Sequence, residues 1–420
     1  MSAVLHANAD ELAAPAARYN PVLALLALLA AAVLYGLPFL KAAPNRLVSG
    51  LPVYFSALPQ SSIWLAAALL LALFSMAFFK PSSAGLRAAA LGSALLVPGL
   101  LWLAASRASQ AALLAQAQSP IARTSMGAGF WLAVVLSALM AADCTRRLPP
   151  SRRPRLLMLA AAALPVGFML WFGTCDELSL MKEYANRADV FWPMVLRHLQ
   201  IVGVSLLLAV CIGLPLGWAA YRFGGVGGAL FPVLNIVQTI PSIALFALLM
   251  TPLALLAASW PALGKAGISG VGLAPGVIAL LLYSLLPVVR GMRIGLSQVP
   301  SGVVDAATGL GLSHGNVFWR VQLPLALPLV LAGVRTAAVQ AVGLAAVTAL
   351  IGAGGLGAIM FEGLYANAQD LVLLGVLPIV FIGVLVDMVF SGLMGLTAVT
   401  AVTAVTAEPA LPLATGNANT

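Results

Sequence analysis

Charged residues are scarce in this chain of 420 amino acids. Asp, Glu, Lys and Arg together make up 8% of it, whereas an ordinary soluble domain carries about 25%. Hydrophobic residues make up 62%, and the mean hydropathy is +1.05. These values exclude an ordinary soluble protein. The sequence also lacks the period-two polarity that the strands of a membrane β-barrel require, which leaves helices as the spanning elements.

Cysteine and histidine are rare as well, and neither forms a metal-ligand pattern. The three cysteines, Cys144, Cys175 and Cys211, fall in separate segments without metal-type spacing, so we interpret them as packing residues. His198 and His314 have no second ligand at metal spacing, and we assign neither a function. The sequence therefore predicts no metal site and no cofactor bound by this chain.

The chain contains no G-x-x-x-x-G-K-[ST] phosphate loop, so we do not expect it to hydrolyse ATP. The run IGAGGLG (351–357) does match the dinucleotide fingerprint G-x-G-x-x-G. That fingerprint should follow a strand in a βαβ unit, whereas this run follows an apolar span. We expect a glycine hinge at the end of a gating helix instead, and tight helix packing is the alternative. The predicted hinge residues are Gly352, Gly354, Gly355 and Gly357.

Apolar runs of about 20 residues recur along the whole chain, which is the length that crosses a bilayer as a helix. They predict an all-α polytopic membrane protein with about ten transmembrane helices. The first run lacks a basic n-region and a cleavage site, so we interpret it as a retained span. The predicted spans are 21–40, 62–79, 86–106, 126–143, 156–173, 199–221, 230–257, 274–291, 327–351 and 371–393.

Loop charges predict the orientation of these spans. The segment 145–155 carries five arginines, so it is the clearest cytoplasmic loop, and the acidic segment 174–189 should face the other side. Counting spans onward from the arginine loop places 300–324 in the cytoplasm, together with both termini. The predicted domains are an N-terminal five-span extension (1–190), a five-span core (191–395) and a low-complexity tail (396–420).

The segment 300–324 is more polar than the spans on either side of it. Asp305-Ala306-Ala307 should open a short helix, with Asp305 in its cap or first turn. Gly309 and Gly311 should end that helix, because glycine is unfavourable in a helix interior and readily adopts positive φ. A second amphipathic helix should follow, and Pro324 should end it. We therefore expect a helix, a turn and a helix at the membrane surface.

The same segment resembles the EAA motif of the membrane subunits of bacterial ABC importers. That motif reads E-A-A, three residues, Gly, nine residues, I-x-L-P, and this sequence has Asp305 for Glu and Val321 for Ile with the spacing intact. The resemblance implies a coupling helix that docks into a separate ATP-hydrolysing subunit. The residues that match the motif are Asp305, Ala306, Ala307, Gly311, Val321, Leu323 and Pro324.

Three further strings extend this resemblance over about 200 residues of the C-terminal half. QTIPSIAL (238–245) is similar to the QTIPSLAL run of glycine betaine/choline-type permeases, LYSLLPVVR (282–290) to their LYSLLPIVR, and the 351–357 run to their IGAGGLG. The expected fold of that half is thus a five-helix, MetI-like permease core. The extended N-terminal half is unusual for short members of the family.

The resemblance implies an inner-membrane permease subunit of an ATP-driven importer for quaternary-ammonium osmolytes. Its implied partners are a cytoplasmic ATPase dimer that uses ATP and Mg²⁺, a second permease subunit (a copy or a different chain), and a periplasmic or lipid-anchored binding protein for the small-molecule substrate. No nucleic-acid partner is expected. Importers of another small solute, such as methionine or a sulfonate, are the alternative within the family.

Prolines inside two spans indicate a translocation path. A proline frees a backbone carbonyl, which neighbouring polar side chains can satisfy or expose to a water-filled route. For the site around Pro241, a kink that only packs helices is an equal alternative. Tyr283 could attract a quaternary ammonium through its ring, although a core tyrosine is the default interpretation. The candidate path residues are Gln238, Thr239, Pro241, Ser242, Tyr283 and Pro287.

Charges within the spans argue against two other classes of protein. An ion-coupled secondary transporter would need intramembrane carboxylates, and the spans are nearly free of them. A membrane-embedded enzyme would need a cluster of catalytic side chains, which the sequence does not show. Arg335 lies within a span, where it should snorkel, line a cavity or pair, and Asp387 is a possible partner.

Overall fold

The computed structural model of the chain describes residues 19–45, 50–79, 82–115, 122–148, 152–265 and 267–406. Two compact units divide the chain, one ending at Asn186 and the other beginning at Arg187. Residues 1–18 and residues 407–420 of the predicted C-terminal tail lie outside the described residues.

The N-terminal unit consists of helices and a small sheet. Its helices are α1 (Pro21–Gly36), α2 (Gln60–Met76), α3 (Ser83–Ala115), α4 (Ala128–Arg146), α5 (Arg152–Trp171) and α6 (Ser179–Ala185). Its strands are β1 (Pro38–Ala43), β2 (Leu51–Tyr54) and β3 (Arg123–Met126), in the order β2-β1-β3 and all antiparallel. The sequence analysis did not predict this sheet. Its strands are short connectors between helices, and they lack the length and alternation that would reveal them.

Aromatic packing joins the sheet to the helices beneath it. Phe39 of β1 is fully buried and meets Phe55 and Phe130 edge to face, with ring centroids 5.2 Å and 5.8 Å apart. A parallel bridge between Thr124 and Leu178 brings the acidic segment to this sheet. The opposite end of α4 leads into the arginine-rich loop, so these two segments lie at opposite ends of the helix, as predicted.

Hydrogen bonds of Asn20 join the ends of three helices, at the end of the unit that leads into the arginine-rich loop. The side chain of Asn20 donates to Asp143 Oδ2 at 2.7 Å and accepts from the Leu23 N–H at 3.2 Å. The Asn20 N–H donates to the Ala77 carbonyl at 2.6 Å. Since Asn20 is buried, these bonds supply partners that water cannot, and they hold the ends of α1, α2 and α4 together.

The Cys175 thiol lies in the turn between α5 and α6, near the sheet. Burial raises the pKa of this thiol to about 11, and the neighbouring Asp176 carboxylate acts in the same direction. The thiol is therefore protonated at neutral pH, and it packs as a small apolar group.

The regular secondary structure among the described residues of the C-terminal unit is all helical. Its helices are α7 (Ala188–Arg222), α8 (Gly224–Thr239), α9 (Ser242–Ser259), α10 (Pro261–Lys265), α11 (Leu273–Ser297), α12 (Ser301–Gly309), α13 (His314–Val317), α14 (Leu323–Val347), α15 (Leu356–Tyr365) and α16 (Gln369–Thr406). A π turn, Phe318–Gln322, joins α13 to α14, and a 3₁₀ turn, Thr348–Ile351, follows α14.

Seven helices among the described residues are long and apolar enough to cross a membrane. They are Ser83–Ala112, Ala128–Arg146, Ala188–Arg222, Ser242–Ser259, Leu273–Ser297, His314–Ile351 and Gln369–Thr397. The predicted spans 21–40, 62–79 and 156–173 correspond to apolar helices of 16 to 17 residues. The first of these is shorter than predicted because the backbone becomes extended at Leu37, before Pro38 and strand β1.

Two other predicted boundaries change in the structure. The single span predicted over 230–257 is two helices, α8 and α9, separated at Ile240–Pro241. The residue before a proline disfavours the helical region, and Ile240 is accordingly extended. At the C-terminus, α16 continues through Thr406, so residues 396–406 of the predicted tail are helical.

An ion pair joins α14 to α16. Arg335 Nε and Nη2 lie 2.7 Å and 2.6 Å from Asp387 Oδ1, which confirms the pairing considered from the sequence. The two side chains are 35% and 42% exposed within this chain, so the pair lies at the margin of the helix bundle.

Removing one partner of this pair should impair assembly of the helices. Arg335→Ala or Asp387→Ala leaves a lone charge within a span, which costs about 2.5–3.5 kcal/mol near the span's centre on insertion scales. We expect each variant to lower the amount of folded protein in membranes, and the double variant to recover most of it. Size-exclusion chromatography of a fluorescent fusion measures this, and a double variant no better than the worse single one would contradict the pairing.

Candidate functional site

The segment matching the EAA motif folds as an exposed elbow, which we define as Ser301–Gln322. Helix α12 begins at Ser301, so Asp305 lies in its second turn and not in its cap or first turn as predicted. Pro300 is the cap residue of this helix, so the helix begins directly after it and earlier than predicted. Asp305 and Ala306 are exposed, whereas Ala307 is buried.

The turn of the elbow depends on Gly311. Its φ is +83°, and no atom lies within 4 Å of the position that a Cβ would occupy. The glycine is therefore required for its backbone conformation and not for a close contact. Ser313 caps the next helix by accepting from the Asn316 N–H at 3.4 Å. The predicted sequence of helix, glycine turn and helix is thus present.

Pro324 does not end the second helix, contrary to the prediction. It lies in the first turn of α14, and the chain is helical from His314 to Ile351. The π turn just before it shifts the hydrogen-bond ladder, and a proline in a first turn sacrifices little. Leu323 and Phe318 pack against Met292 and Leu296 of α11, and the half-buried Val321 lies in the π turn between them.

Two large apolar side chains on the elbow are mostly exposed in the described part of the chain. Leu310 is 84% exposed at the turn, and Trp319 is 66% exposed on the π turn. Phe318 instead points inward, with its ring centroid 6.3 Å from that of Trp218 on α7. The elbow is therefore anchored to the bundle on one face and presents apolar knobs on the other.

The predicted path residues meet at the interruption between α8 and α9. Tyr283 is buried on α11, and its hydroxyl donates to the Ile240 carbonyl. The side chain of Gln238 donates to the Tyr283 carbonyl and accepts a 3.4 Å bond from Gln340 of α14. This chain of hydrogen bonds supplies partners at the point where Pro241 interrupts the helix.

A cavity of about 410 Å³ lies beside this network, within the size range of small-molecule sites. Gln238 and Pro287 line it, and their role in a translocation path stays a prediction. Tyr283 does not, because its ring is in the core, and no lining residue is aromatic. Thr239 and Pro241 are exposed at the helix interruption, and Ser242 is half-buried there. The lining residues are Gln238, Leu286, Pro287, Arg290, Gly291, Ile294, Leu329, Ala332, Gly333, Thr336 and Gln340.

Sequence reasoning missed three polar residues of this wall. Thr336 and Gln340 lie one turn apart on α14, and Arg290 lies on α11 with its guanidinium 3.5 Å from Asn235 Oδ1. Polar residues spaced four apart in an apolar span could have indicated the α14 pair. For Arg290, the sequence offered no signal beyond its place at the end of the LYSLLPVVR string (282–290).

Three of the four predicted hinge glycines lie in the loop between α14 and α15. Gly352, Gly354 and Gly355 have φ values of +79°, +82° and +83°, which side chains other than glycine rarely adopt. Gly357 lies in α15, and a Cβ there would fall 1.9 Å from the Ala346 carbonyl oxygen. Three of these glycines thus serve the turn and the fourth serves close packing, whereas a gating movement of the loop stays a prediction.

The elbow and the glycine loop lie at opposite ends of the same helices. Arg197 near the start of α7 donates to the Ala353 carbonyl at 3.0 Å, and Trp218 near its end contacts the elbow. The 21 residues between them span about 30 Å of helix. Helix α11 also contacts the glycine loop region at one end and the elbow at the other. Gly272, just before α11, donates to the Ile351 carbonyl at 2.8 Å, and the last turns of α11 pack on the elbow.

Comparison with known families assigns both halves of the chain. Residues 209–398 match the binding-protein-dependent transport system inner membrane component, and residues 18–181 match the N-terminal domain of the ABC transporter permease YehY. The osmoprotectant import permease protein OsmW of Salmonella typhimurium is 33% identical over 202 residues, which are 48% of this chain and 89% of that protein. The chain belongs to the family of binding-protein-dependent inner-membrane transport components.

Other members of this permease family give the same result. The glycine betaine/carnitine/choline permease protein OpuCD of Bacillus subtilis is 33% identical over 47% of this chain and 80% of its own length. Among solved structures, the MetNI methionine ABC transporter in an inward-facing form matches 50% of this chain and 98% of its own, with a TM-score of 0.43 and 22% identity. The chain is a multi-pass membrane permease of an ABC importer.

The hydroxyl of Tyr283 should stabilise the interrupted helix of this permease. In Tyr283→Phe the Ile240 carbonyl loses its buried donor, which costs about 1–3 kcal/mol of stability. We expect a lower thermal midpoint for the purified chain in detergent, measured by intrinsic fluorescence. Tyr365→Phe is the matched control, because Tyr365 is 75% exposed. Equal midpoints for the two variants would contradict this role.

Proposed function

We propose that this permease imports quaternary-ammonium osmolytes such as glycine betaine and choline. The observation that carries the proposal is the match to osmoprotectant and glycine betaine/carnitine/choline permeases over 80–89% of their own lengths. The matched region includes the elbow, the residues around the helix interruption and the glycine loop. Selectivity resides mainly in a periplasmic or lipid-anchored binding protein, which fits a cavity wall that has no aromatic lining residue.

The elbow is the proposed docking site for a cytoplasmic ATPase dimer that binds ATP and Mg²⁺. Its exposed Leu310 and Trp319 are apolar knobs suited to a groove on a partner protein. The packing of Phe318 and Leu323 on α11 ties the elbow to the bundle, so that force applied to its outer face reaches the long helices. Asp305 lies on the exposed face and is free to contact the partner.

The transport cycle alternates access between the two ends of the C-terminal unit. ATP-driven displacement of the elbow shifts α11 and α14, which flank both the cavity and the glycine loop. The cavity beside Gln238 and Pro287 holds the substrate in transit, and the loop 352–357 closes the outer end. A second permease subunit completes the path. Both termini face the cytoplasm, and the N-terminal half (1–190) is a membrane extension of the core (191–395).

Substitution at the turn of the elbow tests the docking site. Gly311→Val forces a β-branched residue into positive φ and should distort the elbow. We expect the ATPase subunit to fail to copurify with the chain and uptake to fall at least tenfold, while membrane insertion is unchanged. Gly228→Val is the matched control, because Gly228 of α8 also lies in open space but outside the elbow and without a positive φ. Normal uptake by the Gly311→Val variant would overturn the docking role.

Substrate class is tested with the assembled importer in liposomes. Glycine betaine or choline, delivered with the cognate binding protein, should stimulate ATP hydrolysis several-fold, whereas methionine should not. Stimulation by methionine alone would assign the permease to the amino-acid alternative. Solute uptake by the chain without any ATPase would reject the importer mechanism altogether.

A further inference from the structure

One buried polar side chain has no role in the function proposed so far. His198 of α7 is fully buried, and neither ring nitrogen makes a hydrogen bond of acceptable geometry within the described part of the chain, although the Val342 carbonyl of α14 faces the ring. A buried polar group without a partner raises the free energy of the state that buries it. Its presence therefore destabilises this particular arrangement of its surroundings.

The glycine loop lies against the turn of α7 that carries His198. A Cβ on Gly355 would lie 3.3 Å from the His198 Cα, so the loop backbone rests directly on this turn of α7. The adjacent Arg197 donates to the Ala353 carbonyl at 3.0 Å and so holds the loop in this position. A side chain at position 198 thus contributes to the stability of the covered state and loses this influence when the loop moves away.

Three glycines give the loop the conformational freedom to move away from α7. Gly352, Gly354 and Gly355 adopt positive φ here, and glycine also populates the negative values at similar energy. The attachments described above are single hydrogen bonds to Ala353 and Ile351, which are modest individually. Movement of the loop would let water reach the imidazole and satisfy both of its nitrogens.

We propose that His198 is a positioning residue of the outer gate, which keeps the closed loop only marginally stable because its imidazole lacks partners until the loop opens. This inference rests on the proposed function, since it takes the loop 352–357 as the outer closure of the path. It predicts that an apolar side chain at position 198 favours the closed gate, and that a polar one retains opening.

Labelling of the loop measures opening directly. Ala353 is 2% exposed, so an Ala353→Cys variant reports on movement of the loop. The assay uses the full importer in liposomes, with Cys144, Cys175 and Cys211 replaced by serine and a membrane-impermeant maleimide on the outer side. We expect His198→Leu to slow labelling at least fivefold, with and without ATP. Uptake should fall in proportion, whereas the ATPase should copurify as before.

Two control variants separate gating from general packing. Ser205→Ala removes a buried polar group two turns along α7, but its hydroxyl is already bonded to the Ile201 carbonyl at 2.7 Å. It should leave labelling and uptake unchanged. His198→Gln keeps hydrogen-bonding groups and should label at more than half the unsubstituted rate, which also covers the case in which His198→Leu does not fold.

Equal labelling rates in His198→Leu and the unsubstituted protein would overturn the inference. So would equally slow labelling in His198→Gln, or no labelling in any variant. The comparison without ATP needs no ATP hydrolysis, whereas the elbow experiment depends on docking of the ATPase. Failure of the gate can therefore be distinguished from failure of the proposed function.

Discussion

The hydrocarbon interior of a membrane supplies no hydrogen bonds, so each backbone polar group within it needs a partner from the protein. An uninterrupted helix meets this requirement internally, and an interrupted one does not. At Ile240–Pro241 the hydroxyl of Tyr283 supplies the hydrogen bond that the Ile240 carbonyl would otherwise lack. Tyr283 is in turn hydrogen-bonded to Gln238, and Gln238 to Gln340. The interruption is thus possible only because three helices contribute to it, and the segments around 240 and 283 form one structural unit.

Apart from this interruption, the irregular backbone of the elbow and of the glycine loop lies at the ends of long helices, as the same requirement favours. The elbow lies at one end of α7, α11 and α14, and the glycine loop lies at the other. Packed helices transmit displacement along their length with little deformation, since close-packed interiors resist compression. A change at the elbow can therefore reach a loop about 30 Å away without a separate relay.

Buried polar groups in this protein fall into two kinds, and the distinction matters for function. Asn20 in the N-terminal unit is buried with partners, which fixes three helix ends in one arrangement. His198 in the C-terminal unit is buried without them, beneath a loop that glycine makes adaptable. Buried polar side chains with hydrogen-bond partners favour one structure, whereas a buried side chain without them lowers the free energy needed to leave that structure.

Composition and spacing in the sequence determined the class of protein, the family and the position of the elbow, because charge depletion and motif spacing are local properties. They also identified Gly311 as the turn and Asp387 as a possible partner of Arg335. Tertiary structure decided the rest. The pairing of the short sheet, the partners of the interrupted helix and the core position of Tyr283 depend on neighbours distant in the chain. Which buried polar groups find partners is likewise a property of packed helices, and no window of sequence contains it.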